Sequence, residues 1–429
     1  MSSDAFAQIR ISEPADGDPA QTRYAFHSVT EQREIELAPD LSQQPSGLRS
    51  AAVMAGIKYP GVYDMTLVAL DAPGPAAGIF TKNRSASSSV LLDREHLADG
   101  RGQALVVISK NANVFTPTDR ADAERICSQA AELLGIAKQD VMISCTGVIG
   151  VSLPMPTVEA GLQQAAAALQ PGLQDNVAKA ILTTDKGPKT CSAAFGEVRI
   201  AGMAKGAGMI EPNMATMLVY FFTNLDLPAD KLQASLQRIS DRTFNSISVD
   251  SDTSTSDSLI LFSTGAVPYS DALYADFEAA LAAMMSKLSR EVVFGAEGAN
   301  KLIEARVSKA GDEQQARQVA KFIINSPLVK TAVFGADPNW GRVVMALGKP
   351  GQTRDYPIDP KGVVIKMDGA VLFSGGAAVP LDLAGLSARM KARKKLDIEV
   401  ELGEGDAAWT AWGCDLSYDY VKTNADYTS

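Results

Sequence analysis

The chain has 429 residues, 46% of them hydrophobic, enough to bury a large core in two domains or one large one. Its formal net charge is −10 and its basic residues are scattered, which argues against nucleic acid as the main partner. No apolar run is long enough to span a bilayer, and the N-terminus lacks a basic stretch followed by an apolar one, so neither a membrane helix nor a secretory signal is expected.

Residues 1–46 are polar, with eight acidic against three basic residues, and read as a partly ordered extension whose Tyr24–Val29 stretch adds a strand. From Gly47 the chain turns rich in Ala, Gly and Val. Gln103–Ser109 reads as a buried strand, and Ala121–Leu134 as a helix stopped by Gly135. Asp140–Cys145 is a further strand, ending in the small-residue loop Thr146–Gly150. Thr157–Leu169 and Leu173–Leu182 read as Ala-rich helices separated by Pro171-Gly172. Thr216–Thr223 and Ser258–Ser263 have the β-branched and aromatic content of buried strands. Ala272–Leu288 and Glu313–Ile324 read as helices, and Val363–Phe373 as a hairpin turning at Asp368-Gly369. Leu396–Leu402 alternates like a half-exposed strand. Strands mixed with helices, hairpins included, predict a mixed α/β fold of layered sheets sandwiched by helices.

Cys127, Cys145, Cys191 and Cys414 form no CxxC pair and read as free thiols of a reducing compartment, the cytoplasm. The only histidines are His27 and His96, so a Ser-His-Asp triad, a Cys-His dyad or a His-rich zinc site has little to draw on. An enzyme of this composition takes its base from another group. No Walker-type loop is present, and Gly206–Gly208 precedes a strand, the wrong order for a nucleotide loop. No cofactor and no metal are therefore expected.

The most informative stretch runs Lys205-Gly206-Ala207-Gly208-Met209-Ile210-Glu211-Pro212-Asn213-Met214-Ala215-Thr216. With Ser144–Gly150, Gly335–Arg342 and Val421–Ser429, in that order, it resembles the ornithine acetyltransferase (glutamate N-acetyltransferase) family over roughly Gly47 to Ser429. The resemblance implies a precursor that cuts itself at the Ala215–Thr216 bond, dividing an extension (1–46) and an N-terminal chain (47–215) from a C-terminal chain (216–429). Thr216 is then the nucleophile. The chemistry works without histidine: the new α-amine, with a reference pKa near ~7.7–8.0, is partly neutral at physiological pH and serves as base for the adjacent hydroxyl.

The same resemblance assigns Thr146 and Gly147 to the oxyanion, through a hydroxyl and a backbone N–H; a tight strand-to-loop turn is the alternative. It places Lys205 in the substrate site, where a cation holds a carboxylate or stabilises charge near the nucleophile. Thr183 and Thr184 fall near the substrate, or else terminate a helix. Glu297 receives the substrate's amine, or else is a helix N-terminal glutamate favoured by the macrodipole. Asn424 and Ser429 complete the set, with Ser429 standing where the family has Thr. The sequence departs from the family at Lys110 and Pro117 (usually Gly), Phe115 (usually Cys), Ser251 (usually Gly) and Ser256 (usually Asn).

The expected function is transfer of an acetyl or other acyl group from an N-acyl amino acid such as N2-acetylornithine to glutamate or a related amine. A hydrolase on the same scaffold, or an uncleaved non-catalytic homologue, are the alternatives. Expected partners are small amino-acid substrates, the protein's own two cleaved chains, and further copies of the cleaved pair in a homo-oligomer.

Overall fold

The structure is a computed structural model that describes residues 5–211, 217–351 and 355–426. The expected junction Ala215–Thr216 and the C-terminal Ser429 lie outside the described residues.

The main body is built on a nine-stranded sheet folded over on itself. The strand Met65–Phe80 belongs to both halves. Its first part pairs with Leu48–Val53 and Arg101–Asn111, and the latter pairs in parallel with Val141–Val148. Past a register shift between Ala69 and Gly74, its second part pairs with Ser258–Val267, followed by Leu218–Leu225, Val198–Lys205 and Lys189–Phe195. The halves face one another across one core, in which Val68, Leu105 and Val107 meet Tyr220, Phe222 and Phe262. Helices Ala229–Asp241 and Asp271–Phe294 cover the outer face of one half. Ser88–His96, Asp119–Leu134 and Met155–Ala167 cover that of the other. The result is helix, sheet, sheet, helix. All eight residues of Leu218–Leu225 are buried, since each face of the strand meets a different core, and its sequence accordingly shows no polar alternation.

A second unit carries a six-stranded sheet, with Leu302–Ala310 between Lys395–Glu401 and Ala407–Cys414. It packs on Glu313–Ile324, a helix found at its predicted bounds. The hairpin turn falls at Asp368-Gly369, both with positive φ, as a two-residue turn of this kind requires.

Three sequence expectations are corrected. The Leu173–Leu182 helix shrinks to Val177–Ala180. The residues around its expected start bond to the neighbouring strand instead, Gly172 N–H to Leu48 O and Gln174 N–H to Ser50 Oγ. Thr146 and Gly147 are not a loop but the paired end of Val141–Val148, opposite Ser109 and Lys110. Among its described residues the extension carries three strands where one was expected: Ile9–Ser12, Arg23–Ser28 and Arg33–Glu36 form an antiparallel sheet that seats Tyr24 and Phe26 in the main core. It also bridges the outer edge of Lys189–Phe195 through paired bonds between Ala38 and Ser192, which caps an edge otherwise open to association.

Candidate active site

Strand ends from both halves of the folded sheet converge on a cavity of about 110 Å³. Thr146 and Gly147 come from the end of Val141–Val148, and Lys205 from the end of Val198–Lys205. Thr183 and Thr184 come from the loop after Val177–Ala180. Glu297 comes from the turn after the long helix, and Asn424 from the helix Tyr418–Asp426. Every predicted site residue that lies among the described residues is therefore in one place. Thr216, Ala215 and Ser429 are not described. Leu218, two positions after Thr216, pairs directly with Lys205. The chain thus returns from the undescribed segment into the sheet beside the cavity.

The Lys205 Nζ donates to Thr146 Oγ1 at 2.7 Å. A hydroxyl that accepts from an ammonium is polarised and keeps its own proton free to donate elsewhere. Removal from water holds the Lys205 pKa below the usual lysine range, a shift that the Asp185 and Asp257 carboxylates partly offset. Gly147 has φ +138°, and a Cβ there would lie 2.2 Å from the Lys110 carbonyl carbon, so only glycine allows the two strand ends to approach.

Glu297 does not start a helix. It lies three residues beyond the C-terminus of Asp271–Phe294, where the helix dipole disfavours an anion. Its carboxylate accepts from Asn424 Nδ2 at 2.9 Å. A Cβ on Gly208 would come within 2.7 Å of Glu297 Oε2, so the glycine-rich stretch passes directly over this carboxylate. With one amide donor and free lone pairs, Glu297 is ready to accept an ammonium.

Two carboxylates not singled out from sequence hold the Lys205–Glu211 segment. Asp185 accepts from Gly206 N–H at 2.7 Å and Thr183 N–H at 3.3 Å, and is ion-paired with Lys189 at 2.6 Å. Asp250 accepts from both Met209 N–H and Ile210 N–H at 2.7 Å, and burial raises its pKa. Met209 is held at φ +57°, a conformation unusual for its residue type. Glu211, the last described residue before the undescribed segment, is ion-paired with Lys321 at 3.0 Å. An aspartate in a polar loop gives no sequence signal of which backbone amides it accepts from, so these holdings emerge only from the fold.

A threonine hydroxyl, a glycine backbone, a lysine ammonium and a glutamate carboxylate meet in a cavity whose lining includes no histidine. The arrangement suits an acyl-transfer enzyme. The chain belongs to the ArgJ family, whose model matches residues 49–429. It is 40% identical over 389 residues to the arginine biosynthesis bifunctional protein ArgJ 2 of Nostoc sp., covering 90% of this chain and 99% of that one. It is 38% identical to the glutamate N-acetyltransferase Oat2 of Streptomyces clavuligerus, covering 90% and 98%. It is 41% identical to the glutamate N-acetyltransferase of Methanosarcina mazei, covering 87% and 96%.

Proposed function

We propose that this protein is an N-acetyltransferase that takes an acetyl group from an N-acetyl amino acid such as N2-acetylornithine and passes it to glutamate through an ester on Thr216. The observation that carries this reading is the convergence of Thr146, Gly147, Lys205 and Glu297 beside the strand that Thr216 precedes. The curated relatives named above as glutamate N-acetyltransferases support it.

In the maturation step Thr216 Oγ attacks the Ala215 carbonyl, the peptide C–N bond breaks, and water hydrolyses the resulting ester. This leaves chains 1–215 and 216–429 and a free Thr216 amine. In the catalytic cycle that amine takes the Thr216 hydroxyl proton as Oγ attacks the acetyl carbonyl. The Thr146 hydroxyl and the Gly147 N–H hold the oxyanion, and the departing substrate amine takes the proton. Glutamate's amine then attacks the ester carbonyl, the bond to Thr216 Oγ breaks, and the proton lost by that amine passes through the Thr216 amine to Oγ, restoring the hydroxyl. Glu297, oriented by Asn424, receives the side-chain ammonium of an ornithine-like donor. No diffusible cofactor is required. Among the described residues no helix is long and apolar enough to cross a membrane, and the four cysteines are free and buried. We place the enzyme in the cytoplasm, working as a homo-oligomer of the cleaved pair.

Initial rates test the covalent step. Double-reciprocal plots against N2-acetylornithine at several fixed glutamate concentrations are expected to be parallel. Intersecting lines would indicate direct transfer within a ternary complex and contradict the Thr216 ester.

A further inference from the structure

A second cavity, of about 520 Å³, opens between the N-terminal sheet and the main body. This volume lies in the range of about 300–1,000 Å³ typical of small-molecule sites. Its outer wall, from Ala20 to Tyr24 with Glu36, Leu37 and Pro39, lies wholly before residue 49, where the family match begins. The extension therefore builds half of a cavity that the family-matched region alone would not enclose. The inner wall consists of Lys186–Thr190 and Phe294–Gly295, with Lys287 and Glu291. Both inner segments also serve the active site from their other side. Lys186 follows Thr183–Asp185, and Gly295 stands two positions before Glu297.

The lining is cationic on an acidic protein: Arg23, Lys186, Lys189 and Lys287 against Glu36 and Glu291. Lys287 is held by Glu291 at 2.6 Å. Lys186 is exposed and has no ion pair among the described residues, and Arg23 meets Glu36 only at 3.9 Å. Tyr24, Leu37 and Phe294 supply an apolar surface beneath these charges. Lys189 connects the two cavities. Its Nζ donates to Asp185 Oδ1 at 2.6 Å and to Gly206 O at 3.3 Å, while Asp185 accepts from Gly206 N–H and Thr183 N–H. An anion in the second cavity would lie against Lys189 and draw its ammonium away from Asp185. Asp185 is also the group that fixes Thr183 and the base of the Lys205 segment.

We propose that this cleft is an effector site for a small carboxylate-bearing molecule, and that its occupancy changes substrate binding in the neighbouring pocket through Lys189 and Asp185. Coupling of this kind is reciprocal, so substrate also alters effector affinity. The binding claim is independent of the acyl-transfer reading; the coupling claim rests on it.

Two measurements on the full chain decide the matter. In the first, succinate is titrated and thermal melting followed. A saturable rise in Tm is expected for the wild type. It should be lost in the double variant Arg23→Ala, Lys186→Ala, whose side chains are exposed. No saturable rise, or the same rise in the variant, overturns the site. In the second, Ala20→Cys provides a single accessible thiol, the native cysteines all being buried. The cysteine is modified either with sulfonatoethyl methanethiosulfonate or with the neutral ethyl reagent. The sulfonate adduct should shift the KM for N2-acetylornithine threefold or more, with kcat moved less, and the ethyl adduct should stay within twofold of unmodified enzyme. Equal behaviour of the two adducts overturns the coupling. Absence of transfer by the unmodified protein instead removes the acyl-transfer reading, and with it the coupling, while the succinate titration still decides the site.

Discussion

Lys205 and Thr146 sit on opposite halves of a folded sheet, fifty-nine positions apart in sequence, and are joined by a 2.7 Å hydrogen bond from ammonium to hydroxyl. The bond requires the two half-sheets to stack. It converts a threonine at a strand end into a directed donor, because the ammonium occupies one of its lone pairs.

Thr146→Ala should slow transfer about 10²-fold, the loss expected for one oxyanion donor, with little change in KM. The Lys205 ammonium must stay protonated to donate, and its pKa lies below the usual lysine range. Activity should therefore fall as pH rises through a limb below the reference lysine value of about 10.4. Steady-state pH profiles check the assignment: the limb should vanish in Lys205→Met.

Glu297→Gln keeps the shape but removes the charge. The KM for N2-acetylornithine should rise about tenfold or more, consistent with loss of a charge-assisted hydrogen bond. A neutral N-acetyl donor such as N-acetylnorvaline should be affected far less. Equal increases for both donors would assign Glu297 a structural role.

Asp250 holds two consecutive amides, Met209 and Ile210, a few residues before the expected cleavage bond. An Asn side chain offers one oxygen acceptor where the carboxylate offers two. Asp250→Asn should slow self-cleavage at least tenfold, measured by denaturing electrophoresis well below the melting temperature, where the chain remains folded. Cleavage at the wild-type rate would mean that this grip does not align the segment.

Glu304 is the centre of a buried cluster. It pairs with Arg290 at 3.2 Å and Arg306 at 2.8 Å, and accepts from Trp412 Nε1 at 2.9 Å. These partners overcome burial and bring its pKa down to about 2. A depressed carboxylate contributes stability above its unfolded pKa and loses it as pH falls through the folded value. The wild-type Tm should therefore decline between about pH 4.5 and pH 2, the window set by these two values. Glu304→Gln, which leaves the buried Arg290 with only Glu13 at 3.9 Å as a charge partner among the described residues, should cost about 3 kcal/mol at neutral pH and flatten that decline. Calorimetry at several pH values checks both.

Much of this was legible in the sequence because helix and strand signals are local. Glu313–Ile324 was delimited by its periodicity, and Gly135 ends its helix at φ +69°. The pocket residues were legible only through the family resemblance, since they come from five separate elements. What was not legible depends on distant partners. The extension looked partly ordered because its strands are short and polar, and its order comes from contacts far along the chain, such as Ser28 and Val29 bonding to Asp276. Two departures from the family acquire a physical meaning in the fold. Lys110 and Ser251, at positions usually glycine, have φ +80° and +63°, so each side chain sits where glycine is preferred. Lys110 has a compensating contact, donating to Leu182 O at 2.6 Å above the Thr183 loop.

The central claim is that Thr216, freed by self-cleavage, carries the acyl group. Intact-mass spectrometry of the purified protein, before and after N2-acetylornithine is added without an acceptor, tests it most directly. The account predicts two chains, 1–215 and 216–429, and a gain of one acetyl group confined to the second chain. Thr216→Ala should give a single full-length mass that gains nothing. A wild-type protein that stays full length after prolonged incubation, or an acetyl group found elsewhere than on Thr216, would contradict it.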